Sequence, residues 1–115
     1  MILADKKILL GVTGSIAAYK AILILRQLTS AGADVTVMMT ASAKRFVTPL
    51  TFKVLSKKEV YSDLFGQEEG LPHLSLLEGC GLILIAPATA NFINKMASGI
   101  ADDLLSTLLL SARVP

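Results

Sequence analysis

Three short segments of this chain carry groups suited to holding a small polar ligand. The first is Gly14-Ser15 within "ILLGVTGSIAAYK" (residues 8–20), where an apolar, strand-like run turns through glycine into a helix-like one. The second is Thr40-Ala41-Ser42, and the third is Thr89-Ala90-Asn91 within "APATAN" (86–91). Gly-Ser at the start of a helix leaves backbone N–H groups unpaired at the positive end of the helix dipole, which favours an anion. Ser15 adds a hydroxyl there, and Thr13 offers another. The same pair also serves plain turn tightness and capping. Asn91 donates and accepts at once, as a heterocycle edge requires, but it also suits an N-cap. The single histidine, His73, titrates near neutrality and can take or return a proton; equally, a lone histidine after Leu71-Pro72 suits a helix start or a surface.

The spacing matches neither familiar glycine fingerprint. G-x-G-x-x-G would need glycine at Thr13 and Ile16, and no Gly-Lys-Ser/Thr exists for a Walker loop. A nicotinamide site usually places an acid at the end of the second strand, about 20 residues after the glycines. Asp34 has that separation but begins the strand, on the wrong edge of the sheet. The correct end reads Thr40-Ala41-Ser42, hydroxyls without a carboxylate. This weighs against NAD and suits a monophosphate such as that of FMN.

The elements that must position these groups follow from the pattern of apolar residues. Residues 7–12 read as a buried strand and 15–31 as a helix, with Ala18, Ile22, Leu25 and Leu28 on one face and Gly32 as the stop. Residues 34–39 form a second strand, so the pair makes a right-handed parallel βαβ unit. "TASAKRF" (40–46) starts a short helix, Thr48-Pro49 opens another, "EVYS" (59–62) suits a minor strand, and "FGQEEGLP" (65–72) is a loop. Residues 82–86 are continuously apolar, hence a third strand buried on both faces. Helices follow over 90–97 and 102–111, separated by Gly99. The expected fold is α/β: Rossmann-like, flavodoxin-type, three layers around a parallel sheet, with residues 1–115 as one domain. Ligands gather outside the carboxyl ends of such strands, which brings all three polar segments to one edge.

Composition bounds the rest. With 53% hydrophobic and 17% charged residues in 115, and a mean hydropathy of +0.64, the chain is too apolar to hide its surface within one copy, and a homo-oligomer is expected. No apolar run approaches the roughly 18 to 20 residues of a membrane span. The run after Lys6-Lys7 breaks at "TGS", unlike a secretory signal. Net charge is +2 with scattered basic residues, so no nucleic-acid footprint appears; Lys57-Lys58 reads as a solvated loop. The single cysteine, Cys80, allows no internal disulfide, suits a reducing cytoplasmic compartment and reads as a small buried hydrophobe.

"GVTGSIAAYK", "HLSL", "APATAN" and "GIADDLLST" occur in the order and at spacings that resemble the flavin-dependent cysteine decarboxylases, the phosphopantothenoylcysteine decarboxylases above all. The resemblance covers residues 6–115. It implies FMN held at the interface of a trimer or a multiple of trimers. Gly14, Ser15 and Ile16 would surround the flavin phosphate end, Thr40 and Ser42 would come from the second strand, and Thr89, Ala90 and Asn91 from the third. Asp102, Asp103 and Ser106 would serve the subunit junction or the flavin pocket; for the aspartates, stabilisation of a helix N-terminus competes. His73 matches the family's active-site histidine. The implied reaction turns 4′-phosphopantothenoylcysteine into 4′-phosphopantetheine during coenzyme A biosynthesis. FMN oxidises the thiol end to a thioaldehyde, carbon dioxide leaves, and the reduced flavin returns the electrons to the enethiol.

Two family features, a Pro-x-Met-Asn-x-x-Met segment for the substrate carboxylate and a lid cysteine, would lie beyond Pro115. The expectation is therefore a domain incomplete at its C-terminal end, with little turnover by itself. A peptidyl-cysteine substrate, a flavin prenyltransferase and a non-catalytic flavin-binding regulatory module stay open as alternatives.

Overall fold

The computed structural model describes residues 1–62 and 72–115, with side chains of 72–74 left aside. Strands β1 (Lys7–Val12), β2 (Asp34–Met39) and β3 (Leu82–Ile85) form one parallel sheet in the order β2-β1-β3. Helices are α1 (Ala18–Ser30), α2 (Pro49–Ser56), α3 (Pro72–Leu77), α4 (Ala90–Ser98) and α5 (Leu104–Ser111). The register aligns Lys7 with Asp34 and Val12 with Met39, so β1 and β2 end level.

Period-two alternation divides each strand between two cores. Ile8, Leu10, Val12, Val35, Val37 and Met39 face α1 and α2, where Ala18, Ala21, Leu25 and Phe52 close the layer. Leu9 and Met38 face the other way, onto Phe92 of α4 and Leu104, Leu105 and Leu108 of α5. This is the three-layer α/β architecture expected. At Gly11 the second layer lies so close that an added Cβ would stand 2.7 Å from Ile85 Cδ1 and 2.9 Å from the Leu105 methyls.

Several expected elements differ in detail. Helix α1 begins at Ala18 rather than Ser15, because Ser15 Oγ accepts from the Ala17 N–H at 3.0 Å and sets a serine turn ahead of the helix. The segment after Thr40 holds only a 3-10 turn, Ala43–Arg45. "EVYS" supplies a single parallel bridge from Tyr61 to Met38. The loop expected at 65–72 falls, apart from Pro72, outside the described residues, and α3 opens at Pro72, so His73 stands at a helix start. The expectation that the third strand is buried on both faces is wrong: Leu82 is exposed and Ile83, Leu84 and Ile85 are half-buried. It stands at the edge of the sheet, and on its outer side Ile83 N–H donates to Pro115 O at 2.8 Å. Among the described residues no helix is long and apolar enough to cross a membrane.

Helix α2 ends at Lys57, a non-glycine residue at φ 61°, whose N–H closes on Lys53 O at 2.9 Å. A Cβ in this left-handed region costs about 1–2 kcal/mol, offset in part by the extra unfolded-state freedom that glycine would bring. Lys57→Gly is therefore expected to stabilise the fold by about 0.5–1 kcal/mol, read as a higher urea midpoint at unchanged slope. A lower midpoint would contradict this.

Candidate functional site

The strand order fixes where a site can form. From β1 the chain crosses to β2 on one side and returns to β3 on the other, so a crevice opens beyond the carboxyl end of β1. A cavity of about 400 Å³ lies there, in the range of small-molecule sites. Thr13 and Gly14 come from the turn after β1, Thr40, Ala41 and Ser42 from the turn after β2, and Thr89 and Asn91 from the turn after β3. Phe92 and Lys95 of α4, with Asp102 and Asp103 ahead of α5, complete the wall.

Besides the backbone bonds Thr40 N–H to Val12 O and Thr13 N–H to Pro87 O, a side-chain hydroxyl and a glycine hold the turns together. Thr13, 1% exposed, donates its hydroxyl to Pro87 O and accepts from the Thr89 N–H at 3.0 Å. Its hydroxyl therefore joins β1 to the β3 turn and is not a spare group for a ligand phosphate. On the other side Gly14 lies against the β2 turn: a Cβ there would stand 2.4 Å from Ser42 Cβ, 2.7 Å from Ser42 C and 3.0 Å from Ala43 N. Only glycine lets the backbones approach this closely.

The polar groups then sort by what already engages them. Thr40 Oγ1 accepts from Ala43 N–H at 3.2 Å, while Ser42 is exposed. Thr89 is the N-cap of α4, its hydroxyl accepting from Phe92 N–H at 3.2 Å, so the capping role considered for Asn91 belongs to its neighbour and the exposed Asn91 amide faces the cavity. Among the described residues nothing accepts from the N–H groups of Gly14, Ser15 or Ile16. Unpaired donors, a glycine cradle and the Ser42 hydroxyl beside it match the chemistry of a phosphate monoester.

Other expected site residues stand further off. Ile16 is 82% exposed, with its side chain outside the wall, and Ser15 and Ala90 flank the cavity without lining it. Ser106 is buried and does not line it: its hydroxyl and N–H both meet Asp103 in a capping box at the start of α5, the N–H at 2.8 Å. Asp103 thus takes the helix-capping role, and Asp102 pairs with Lys95. His73 lies on α3, but its side chain is outside the described residues. Asp34, at the far edge of the sheet, pairs with Lys58, away from any ribose position. Burial, and then the charge of Lys7, lower the Lys58 pKa below the ordinary lysine value. Phe92 and Lys95 were missed; Lys95 follows Asn91 by four residues, a helical spacing that puts both on one face.

A family model described as Flavoprotein matches residues 3–115. The chain belongs to the flavoprotein family. This flavoprotein chain is 50% identical over 115 residues to the coenzyme A biosynthesis bifunctional protein CoaBC of Bacillus subtilis, across 98% of this chain and 28% of that protein. It therefore spans little more than a quarter of that relative's length. Among solved structures, the FMN-dependent cysteine decarboxylase SpaF superposes with a TM-score of 0.89 at 32% identity, over 98% of this chain and 66% of that one. A mutant PPC decarboxylase complexed with pantothenoylaminoethenethiol gives 0.78 at 25%, over 94% and 61%.

The Thr13 hydroxyl makes a sharp test of how the flavoprotein site is built. Thr13→Val keeps the shape, and the Thr13 N–H still donates to Pro87 O at 3.3 Å, but the second donor to that carbonyl is lost and Thr89 N–H is left without its acceptor. A loss of about 1–3 kcal/mol is expected in chemical denaturation, and a variant as stable as the parent would show that the Thr13 hydroxyl does not hold the turns.

Proposed function

We propose that this chain binds FMN in the cavity beyond β1 and serves the FMN-dependent decarboxylation of 4′-phosphopantothenoylcysteine in coenzyme A biosynthesis, a carboxy-lyase reaction of the cytoplasm. The observation that carries the reading is the convergence of the turns after β1, β2 and β3 on one cavity, with the Gly14, Ser15 and Ile16 N–H groups unengaged. The sequence relatives favour a small cysteine conjugate over a peptide, since half the residues are shared with a coenzyme A biosynthesis protein.

Bound FMN would supply a reversible two-electron oxidation of the substrate's thiol end. The chain's own residues do the rest. Gly14 and the two residues after it hold the phosphate by backbone donors, and Ser42 adds a hydroxyl. Asn91 offers donor and acceptor to the ring edge. Thr89 and Thr13 fix the turn that carries Asn91. His73 is assigned proton transfer at the thiol, which has to lose its proton as the C–S bond becomes the C=S of the thioaldehyde and regain it at the end.

A homo-oligomer, a trimer or a multiple of trimers, belongs to the same reading. Ile16 just ahead of α1, Tyr19 and Leu23 on α1, and Leu50 and Val54 on α2 are all exposed apolar side chains. So much uncovered apolar surface on a small chain suits a subunit contact. Sedimentation equilibrium is expected to give a mass above 12.2 kDa at micromolar concentration, and a monomer would contradict this.

The function is tested by saturating purified protein with FMN and quantifying the flavin retained. One FMN per chain is expected; none retained would refute the reading. Gly14→Ala is expected to weaken binding at least tenfold, since its Cβ meets Ser42 backbone. His73→Ala is expected to keep FMN but slow anaerobic bleaching of the flavin by 4′-phosphopantothenoylcysteine about 100-fold or more. Unchanged bleaching would remove His73 from the chemistry.

A further inference from the structure

Among the described residues Lys95 is the one cationic side chain lining the cavity. It stands one turn beyond Asn91 on the same face of α4. Its Nζ donates to Asp102 Oδ1 at 3.1 Å and lies 3.1 Å from Oδ2, reaching across the Gly99 turn that ends α4. The Lys95 side chain is 25% exposed and Asp102 54%, so the wall holds the ammonium while its counter-charge sits further out. The other acid of the wall, Asp103, is engaged by the α5 cap. Asp102 does no comparable work at a helix end, since Asp103 occupies the N-cap position. A held cation and its own adjustable counter-ion are therefore built into the cavity wall, and the phosphate chemistry at Gly14 does not account for them.

Resting on the reading of this cavity as an FMN site, we propose that Lys95 is a positioning residue that favours the reduced flavin, and that Asp102 moderates it. Oxidised isoalloxazine is neutral; two electrons and one proton give a hydroquinone anion, whereas the phosphate keeps its charge through the cycle. A fixed charge in the wall thus separates the two redox forms only through the ring. Taking away the Lys95 charge leaves Asp102 uncompensated beside the cavity and disfavours the anion. Taking away the Asp102 charge does the reverse. With an effective dielectric of ~20 and a separation on the order of 10 Å, one unit charge changes the relative affinity for the two forms about tenfold. For a two-electron couple a tenfold change is about 30 mV.

The test uses the whole chain loaded with FMN, as parent, Lys95→Gln, Asp102→Asn and the double variant. Affinity for oxidised FMN is read from flavin fluorescence, and the midpoint potential from anaerobic dithionite reduction against a reference dye. Lys95→Gln is expected to lower the potential by about 30 mV, Asp102→Asn to raise it by a similar amount, and the double variant to return close to the parent. Opposite signs with restoration are what a purely structural role cannot give. Shifts in the same direction, or none, would overturn the proposal. So would equal weakening of oxidised and reduced FMN by Lys95→Gln, which would put the ammonium on the phosphate. A parent chain that takes up no FMN would remove the site reading and this inference together, whereas a flavin-loaded parent with unmoved potentials would remove the inference alone.

Discussion

Thr13 ends the central strand with its hydroxyl shared between Pro87 O and the Thr89 N–H, and one residue later Gly14 lies in backbone contact with Ser42. With the backbone bonds from Thr40 N–H to Val12 O and from Thr13 N–H to Pro87 O, these contacts draw the segments after β2 and β3 toward the segment after β1. A parallel sheet guarantees only that strand ends share an edge, and neighbouring strands are still about 4.8 Å apart. Convergence on one cavity needs the turns to lean inward. A buried hydroxyl does this on one flank, and the missing Cβ of a glycine does it on the other.

The two cores serve that arrangement. On the α1–α2 side Ala18 and Ala21 let α1 lie close to the sheet, and Leu25 and Phe52 fill the rest of the layer. On the other side Leu104, Leu105 and Leu108 seat α5 against Gly11, so Asp102 and Asp103, immediately ahead of that helix, reach the cavity wall. The Asp103–Ser106 box fixes where α5 starts. Stability and site geometry are thus set by the same few residues.

Much of this was legible in the sequence because it is local. The bounds of β1 and β2 follow from apolar runs edged by charge and glycine, and the placing of the three polar segments on one edge follows from parallel topology. What was not legible depends on contacts between distant residues. Thr13 looks like a spare hydroxyl until Pro87 and Thr89, more than 70 residues on, are seen to engage it. The run at 82–86 reads as fully buried, but burial there depends on strand order, which an apolar run cannot encode. For Ser106 the resemblance implies the subunit junction or the flavin pocket, yet a serine three residues after a capping aspartate has a local explanation in the helix start. Lys95 was overlooked although Asn91 and helical spacing pointed to it.

The central claim is that the turns after β1, β2 and β3 close on one ligand. Amide hydrogen exchange of the whole chain, with and without saturating FMN, tests it most directly. The account predicts slowed exchange concentrated at residues 14–16, 41–43 and 90–92, with little change along the outer face of α1 around Leu23 and Gln27. Protection limited to one of these turns, or centred on that outer face, would contradict it.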